Sequence, residues 1–167
     1  MNVILLSGGS GKRLWPFSNE VRSKQFLKIF KNSDGSRESM LQRMFRMLRN
    51  VTPEAAITIV TSSNQVPQIK AQLGEAVGIS IEPCRRDTFP AIVLATAYLH
   101  DVKKISRNEA VVVCSVDPYV EKDYFKMLRK LHTQAKKRET NLVLMGIEPT
   151  CPSEKYGYII PKSKDEI

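Results

Sequence analysis

The sequence predicts an α/β fold in which a mostly parallel sheet is covered by helices on both faces. Short runs that are apolar throughout alternate with longer segments whose apolar residues recur at helical spacing. Continuous apolar runs are typical of strands that are buried on both faces, as in a parallel sheet. The chain has 167 residues, which is the usual length of one domain, and needs no disulfide or metal to fold.

The elements follow from these patterns in chain order. Strands are predicted at the aliphatic and β-branched runs, namely residues 3–6, 57–61, 79–81, 110–114, 142–147 and 156–160. Helices are predicted between them, at residues 39–49, 63–73, 89–102 and 122–137. Asp87 or Thr88 is expected to cap a helix that has Pro90 in its first turn, and Ser62 or Ser63 an earlier helix.

Composition excludes several classes of protein. Hydrophobic residues make up 42% and charged residues 26%, which are ordinary values for a soluble domain and not those of a disordered or collagen-like chain. No run approaches the ~20 apolar residues of a membrane span, and the N-terminus lacks the basic start of a signal peptide. Cys84, Cys114 and Cys151 are too widely spaced for a zinc site or a disulfide framework. We therefore expect a cytoplasmic protein without a membrane partner.

The net charge of +9 raises the question of nucleic-acid binding. Lysines and arginines are spread along the whole chain, apart from runs such as residues 126–138. That run also carries Phe125, Leu128 and Leu131 at helical spacing, so its basic side is interpreted as a solvated helix face. Nucleic acid is not an expected partner, whereas phosphorylated small molecules also suit a basic protein.

A glycine-rich segment follows the first predicted strand and reads LSGGSGKRLWP over residues 6–16. Clustered glycines let the backbone approach a ligand and point N–H groups at phosphate oxygens, while Lys12 and Arg13 add positive charge. A P-loop is excluded because Arg13 stands where serine or threonine is required, and a dinucleotide fingerprint is excluded because Leu14 replaces its third glycine. A glycine-rich turn without a ligand remains an alternative.

Charged residues also follow later strands of the predicted sheet. Asp117 lies at the carboxyl edge, where open α/β sheets bind ligands, and a single carboxylate there suits Mg²⁺ shared with substrate phosphates. A simple Asp-Pro turn with Pro118 is the alternative. Glu82 and Asp87 lie between a predicted strand and a predicted helix at the same edge, and Asp87 is equally well interpreted as a helix cap.

Five blocks in order resemble the sugar-1-phosphate nucleotidyltransferases. Residues 8–16, GGSGKRLWP, are similar to G-G-x-G-T-R-L-x-P, and the tryptophan form is typical of the guanylyltransferases that act on mannose 1-phosphate. The other blocks are SKQFL at 23–27, EPCRRDTFPAI at 82–92, VDPYV at 116–120, and the segments PT and YGYI within 149–159. They resemble P-K-Q-F-L, E-P-x-x-R-N-T-A-P-A-I, A-D-H-x-I and P-T-x-P-E-T-G-Y-G-Y-I. The chain departs from these patterns at Ser23, Asp87, Pro118, Cys151 and Lys155.

The resemblance implies a fold and an activity. The fold is a Rossmann-like three-layer α/β/α sandwich, with residues 1–167 as the N-terminal, nucleotide-binding part of a truncated nucleotidyltransferase domain. The activity is transfer of GMP from GTP to mannose 1-phosphate, which gives GDP-mannose and pyrophosphate with Mg²⁺ as cofactor. The alternatives are another sugar-1-phosphate nucleotidyltransferase and a nucleotide-binding fragment without turnover. The sequence does not determine the oligomeric state, and a homodimer is one alternative.

The resemblance also implies roles for individual residues. Arg13 braces the β- and γ-phosphates and the leaving pyrophosphate, and Lys24 neutralises the attacking or transferring phosphate. Asp117 binds the metal, and Tyr156 and Gly157 approach the sugar phosphate. The residues expected to bind the nucleotide are Ser7, Gly8, Gly9, Gly11, Lys12, Glu82, Arg86, Asp87 and Thr88. With this resemblance, either Glu82 or Asp87 is expected to accept hydrogen bonds from the N1–H and amino group of guanine.

Overall fold

Four parallel strands form the central sheet of the computed structural model, which describes residues 1–8, 16–18, 23–32, 34–154 and 157–160. In chain order the strands are β1 (Asn2–Leu6), β2 (Phe30–Lys31), β3 (Arg37–Glu38), β4 (Ala56–Ser62), β5 (Gly78–Glu82) and β6 (Val111–Ser115). The helices are α1 (Met40–Val51), α2 (Val66–Leu73), α3 (Thr88–Asp101) and α4 (Lys122–Lys136). The sheet has the order β5-β4-β1-β6, and β2 and β3 form a separate antiparallel pair. The predicted parallel sheet is confirmed.

The register of the sheet brings the carboxyl ends of its strands together. Leu6, the last residue of β1, lies beside Val60 of β4 and Ser115 of β6. At the outer pair, Ser62 of β4 lies beside Glu82, the last residue of β5. Residues that follow these strands therefore emerge along one edge of the sheet.

Alternate residues of the strands enter two hydrophobic clusters, one on each face of the sheet. The larger cluster joins the sheet to α1, α2 and α4 through Val3, Leu5, Ile57, Ile59, Leu41, Met44, Ile69, Phe125 and Leu128. The smaller cluster joins it to α3 through Ile4, Val60, Ala91, Ala95 and Leu99. Each buried aliphatic or aromatic side chain of this kind contributes about 1.5–3 kcal/mol, so both helical layers are held to the sheet. The predicted three-layer sandwich is confirmed.

Helix α1 begins at a capping box, in which the Ser39 hydroxyl accepts from the Gln42 N–H and the Gln42 side chain accepts from the Ser39 N–H. The starts of two other helices, α3 and α2, differ from the prediction. The side-chain cap predicted for α3 is wrong, because Asp87 takes the N-cap position at φ 64° without a capping bond and Thr88 already belongs to the helix. A cap on α2 from Ser62 or Ser63 is also wrong, because a 3-10 turn, Ser63–Gln65, separates β4 from the helix.

Two predicted strands do not form. Residues 142–147 and the described part of 156–160, residues 157–160, make no strand pairing. Several of their apolar side chains face solvent, with Leu142, Ile147 and Ile160 exposed by 72%, 83% and 86%, whereas Met145 packs against the larger core cluster. A strand needs a hydrogen-bonded neighbour, and within the described ranges β6 pairs only with β1. Apolar, β-branched composition was therefore insufficient to predict strands here.

The described part of the chain contains no helix with the length and apolar character needed to cross a membrane.

Candidate functional site

A cavity of about 420 Å³ opens at the carboxyl edge of the sheet. Its walls are the segment Leu6–Gly8 after β1, the ends of β5 and β6, the first turn of α3, and Lys24 and Gln25 from the 3-10 turn Lys24–Phe26. These segments are far apart in the sequence and meet because every strand of the sheet runs in the same direction. The carboxyl edge is also where open α/β sheets bind ligands.

An ion pair between Lys24 and Asp117 lies in this cavity. The Lys24 ammonium donates to Asp117 Oδ2 at 2.8 Å, and the Ser115 hydroxyl donates to Oδ1 at 2.5 Å. Burial raises the pKa of Asp117, but the hydrogen bonds from Lys24 and Ser115 outweigh it and hold the pKa below its usual value. The carboxylate is thus ionised at neutral pH, and the Lys24 and Asp117 side chains remain 39% and 47% exposed to an incoming ligand.

The segment after β1 is held from two sides. The Ser7 N–H donates to the Val60 carbonyl at 2.9 Å, and the Gln25 amide nitrogen donates to the Ser7 carbonyl at 3.1 Å. Because a carbonyl can only accept, this bond fixes which end of the Gln25 amide is nitrogen. Among the described residues, Gln25 Oε1 has no hydrogen-bond partner, although its side chain is only 2% exposed. A cavity ligand with an N–H or O–H group would satisfy it.

Glu82 and Gly8 are neighbours in the wall of the cavity. A Cβ added at Gly8 would lie 3.6 Å from Glu82 Oε2, so the missing side chain at position 8 keeps the space beside the carboxylate open. Burial raises the pKa of Glu82 above its usual value, while the positive charge of Arg85 acts in the opposite direction. Glu82 is therefore a partly desolvated acceptor at the wall of the cavity.

The N-terminus of α3 completes the wall. Asp87, Thr88 and Ala91 line the cavity at the first turn of this 14-residue helix. The first N–H groups of a helix lack partners within the helix, and its dipole places partial positive charge there. This end of the cavity therefore favours a negatively charged ligand group.

The structure brings together about half of the residues singled out from the sequence. Those that line the cavity are Ser7, Gly8, Lys24, Glu82, Asp87, Thr88 and Asp117. Arg86 and Gly157 are exposed and do not line it, whereas Arg85 does. The predictions for Gly9, Gly11, Lys12, Arg13 and Tyr156 lie outside the described residues.

Sequence reasoning gave no role to Gln25 and Ser115, which both line the cavity. Gln25 stands next to Lys24 in one of the blocks that resemble the family, and this position could have indicated that Gln25 belongs to the site. Ser115 stands two residues before Asp117, but a serine at the end of a strand carries no distinctive pattern.

The donor set is compatible with Mg²⁺ shared with a ligand. No group of three His, Cys, Asp or Glu side chains in the described ranges could hold a metal by itself. Mg²⁺ is commonly bound by one or two carboxylates together with substrate phosphates and water, so Asp117 alone is sufficient on the protein side. The Lys24 ammonium already occupies a cation position against this carboxylate.

Comparison with known proteins identifies the family. The family model described as nucleotidyl transferase matches residues 2–167, which is nearly the whole chain. The chain belongs to the nucleotidyl transferase family. A solved structure described as mannose-1-phosphate geranyltransferase from Thermus thermophilus matches this nucleotidyl transferase chain with a TM-score of 0.65 and 25% identity, over 81% of this chain and 38% of that one.

Curated relatives agree with this assignment. A mannose-1-phosphate guanylyltransferase from Salmonella montevideo is 33% identical over 93% of the chain, and one from Escherichia coli is 32% identical over the same share. The xanthan biosynthesis protein XanB of Xanthomonas campestris pv. campestris (strain B100) is 31% identical. The nucleotidyl transferase chain spans about a third of the length of these relatives, 32% for the Salmonella protein.

Proposed function

We propose that this chain is the nucleotide-binding part of a mannose-1-phosphate guanylyltransferase, in which GTP and mannose 1-phosphate give GDP-mannose and pyrophosphate. The observation that carries the proposal is the Lys24–Asp117 pair, at 2.8 Å, within the cavity at the carboxyl edge of a parallel sheet. The cavity combines this cation and this carboxylate with the N-terminus of α3, and such groups can position phosphates and neutralise their charge in phosphoryl transfer. The relatives that bear the name guanylyltransferase support the choice of substrates.

The reaction needs positioning and charge neutralisation more than bond-making by the protein. An oxygen of mannose 1-phosphate attacks the α-phosphorus of GTP, and the bond to the pyrophosphate oxygen breaks. Two anions approach each other, so a cation fixed between them lowers the barrier. Lys24 supplies this cation, since the Asp117 carboxylate that its ammonium contacts is half-exposed and a phosphate oxygen could take the place of that carboxylate.

Asp117 is the residue that would hold Mg²⁺, and the ion would add positive charge next to the triphosphate. Asp117 is ionised in the absence of a ligand because Lys24 and Ser115 hydrogen-bond its two oxygens. When Lys24 turns to a phosphate, Oδ2 becomes free to accept another cation. Binding of the nucleotide and of the metal are therefore coupled through this carboxylate.

The preference for guanine is assigned to Glu82. Its carboxylate can accept from the N1–H and the amino group of guanine together, a pair of donors that adenine, uracil and thymine do not offer on one edge. Gly8 leaves room beside Glu82 Oε2, and Gln25, which lines the same cavity, offers Oε1 as a further acceptor that has no partner within the described ranges. Asp87 is the alternative acceptor, because it also lines the cavity and makes no capping bond with its side chain.

Calorimetric titration with GTP and Mg²⁺ tests the proposal, with ATP, UTP and dTTP titrated in parallel. We expect saturable binding of GTP that is at least about tenfold tighter than that of the other three, since each additional good hydrogen-bond pair to a base is worth roughly 1–3 kcal/mol. Glu82→Gln should weaken GTP binding and leave ATP binding unchanged. If Asp87→Asn, and not Glu82→Gln, weakens GTP binding alone, Asp87 is the residue that accepts hydrogen bonds from guanine.

Arg13→Ala tests the glycine-rich segment, and Arg129→Ala is the matched control on α4, outside the cavity lining. Loss of binding in the first variant alone supports the proposed role of Arg13. Equal affinity for all four nucleotides would favour another sugar-1-phosphate nucleotidyltransferase. Binding without pyrophosphate release after addition of mannose 1-phosphate would favour a nucleotide-binding module, and no binding of any nucleotide would overturn the proposal.

A further inference from the structure

Arg43 is a buried cation on α1 whose guanidinium contacts the loop after Asp117. Its guanidinium Nη1 donates to the Val120 carbonyl at 2.6 Å, and Nη2 lies 3.4 Å from Glu121 Oε1. Its central carbon lies 4.3 Å from the centroid of the Tyr119 ring. Arg43 thus contacts three consecutive residues, which begin two positions after the proposed metal-binding carboxylate.

Burial of this charge is not explained by a strong ion pair. The Arg43 side chain is 9% exposed, whereas Glu121 is 74% exposed and meets it at 3.4 Å. Taking a charge out of water costs several kcal/mol before compensation, and an ion pair with a solvated carboxylate returns little of it. The planar fork of arginine, by contrast, fixes direction as well as charge, which suits it for holding a loop in one position.

The same contacts connect the two halves of the Lys24–Asp117 pair. The Tyr119 ring stacks on Phe30 with centroids 5.5 Å apart, and Phe30 lies on the segment that follows the Lys24–Phe26 turn. That turn is itself fixed, because Phe26 is 5% exposed in the core cluster and its carbonyl accepts from the Gln72 side chain at 2.9 Å. Arg43 therefore holds the loop that carries Asp117 against the segment that carries Lys24.

We propose that Arg43 is a positioning residue that holds Asp117 where the metal–nucleotide complex binds. It touches neither reactant, and acts by fixing residues 119–121 against α1. The inference rests on the proposed function, since it assigns Asp117 to that complex. A purely structural role would change stability alone, whereas a positioning role changes metal affinity.

Binding of Mn²⁺ in the presence of GTP, followed by electron paramagnetic resonance, is the test. Arg43→Met should weaken Mn²⁺ binding by about tenfold, the smaller end of the loss seen when residues that orient metal ligands are replaced. Arg43→Lys keeps the charge but not the fork, so it should give an intermediate loss. GTP binding in EDTA should change by less than about twofold, because Arg43 does not line the cavity.

Arg49→Met is the matched control on the same helix. Arg49 also lies over an aromatic ring, that of Phe45 at 5.5 Å, and also donates to a backbone carbonyl, that of Pro53, but it contacts nothing in the loop after Asp117. Mn²⁺ affinity equal in Arg43→Met and Arg49→Met would overturn the inference, whatever the change in thermal stability.

A second variant keeps the test decisive if Arg43→Met does not fold. Tyr119→Ala removes the ring between Arg43 and Phe30 from a residue that is 62% exposed, so the core is not affected. It should lower Mn²⁺ affinity in the same direction, and unchanged affinity would overturn the inference. If the unaltered chain binds GTP but no Mn²⁺, this inference fails while nucleotide binding stands; if it binds neither, the proposed function fails first.

Discussion

At the scale of single residues, the proposed chemistry of the site depends on one carboxylate that accepts hydrogen bonds from two donors. Asp117 accepts from Lys24 and Ser115, and both contacts form at the mouth of a cavity and not in the core. Exposed ion pairs contribute about 0–1 kcal/mol to stability, because water already solvates both charges well. The pair is therefore better explained by ligand binding than by folding.

Replacement of Asp117 should separate these two effects. We expect Asp117→Asn and Lys24→Met to change the free energy of unfolding in urea by less than about 1 kcal/mol. Asp117→Asn should abolish the Mg²⁺-dependent part of GTP binding, whereas Lys24→Met, which leaves the carboxylate in place, should weaken GTP binding both with Mg²⁺ and with EDTA, as measured by calorimetry. Asp123→Asn is the control, because Asp123 forms a similar exposed pair with Lys126 at 2.7 Å on α4. A large loss of stability with intact GTP binding would contradict this view of the pair.

The pH dependence of stability follows from the lowered pKa of Asp117. Burial opposes ionisation of this group, but the bonds from Lys24 and Ser115 favour it, so its pKa is lower in the folded chain than the ordinary value of 3.8. The ionised Asp117 thus contributes fully to the free energy of unfolding at pH values above its pKa in the unfolded chain. This contribution is lost as the pH falls through the pKa of Asp117 in the folded chain. Below about pH 4, Asp117→Asn should show a shallower loss of stability than the unaltered chain, as measured by urea denaturation at a series of pH values.

At the scale of elements, the spacing of hydrophobic residues predicted the strands and helices that pack between the layers of the fold. The four strands of the sheet and the four helices formed within a few residues of the expected bounds, because each buries a stripe or face that the sequence displays. The segments at 142–147 and 157–160 have the same composition but no neighbouring strand within the described ranges, and pairing is not visible in a local pattern. The short β2–β3 pair and the 3-10 turn before α2 also lack a periodic signal.

Gly78 offers a test of how closely β5 approaches β4. A Cβ at this position would lie 2.9 Å from Thr58 Oγ1, and Thr58 is a β-branched residue only 3% exposed, with little freedom to move. We expect Gly78→Ala to lower the free energy of unfolding by about 1–3 kcal/mol, measured by urea denaturation, because overpacking outweighs the better strand propensity of alanine.

Two controls accompany that substitution. Gly157→Ala should be neutral, since a Cβ there would meet no atom of the described residues within 4 Å. Thr58→Ala in the Gly78→Ala background should restore part of the lost stability by removing the clashing hydroxyl. If Gly78→Ala is as stable as the parent, the two strands do not pack as closely as the structure places them.

At the scale of the whole molecule, the site exists because a parallel sheet brings distant residues to one edge. The edge rule and the family resemblance together predicted that Ser7, Lys24, Glu82 and Asp117 belong to one site, and the structure places all four around one cavity. The direct contact of Lys24 with Asp117 could not be predicted, because it depends on how the Lys24–Phe26 turn folds back over the sheet. The proposed positioning role of Arg43 could not be predicted from the sequence either, since an arginine in an amphipathic helix usually faces solvent.

The net charge of +9 allows a last prediction that separates nucleotide binding from general attraction of polyanions. Non-specific binding of a DNA duplex through several lysines should fall by about a thousandfold between roughly 50 and 200 mM salt, because it depends on counterion release. GTP binding in the cavity should fall by less than about tenfold over the same range, since fewer charges are involved. Fluorescence anisotropy with labelled duplex and with labelled GTP would compare the salt dependence of the two affinities.

The double variant Lys130→Gln, Lys137→Gln, on the basic groove along α4, should weaken only DNA binding. A duplex that binds as tightly as GTP at about 200 mM salt would mean that the basic surface, and not the carboxyl-edge cavity, carries the function.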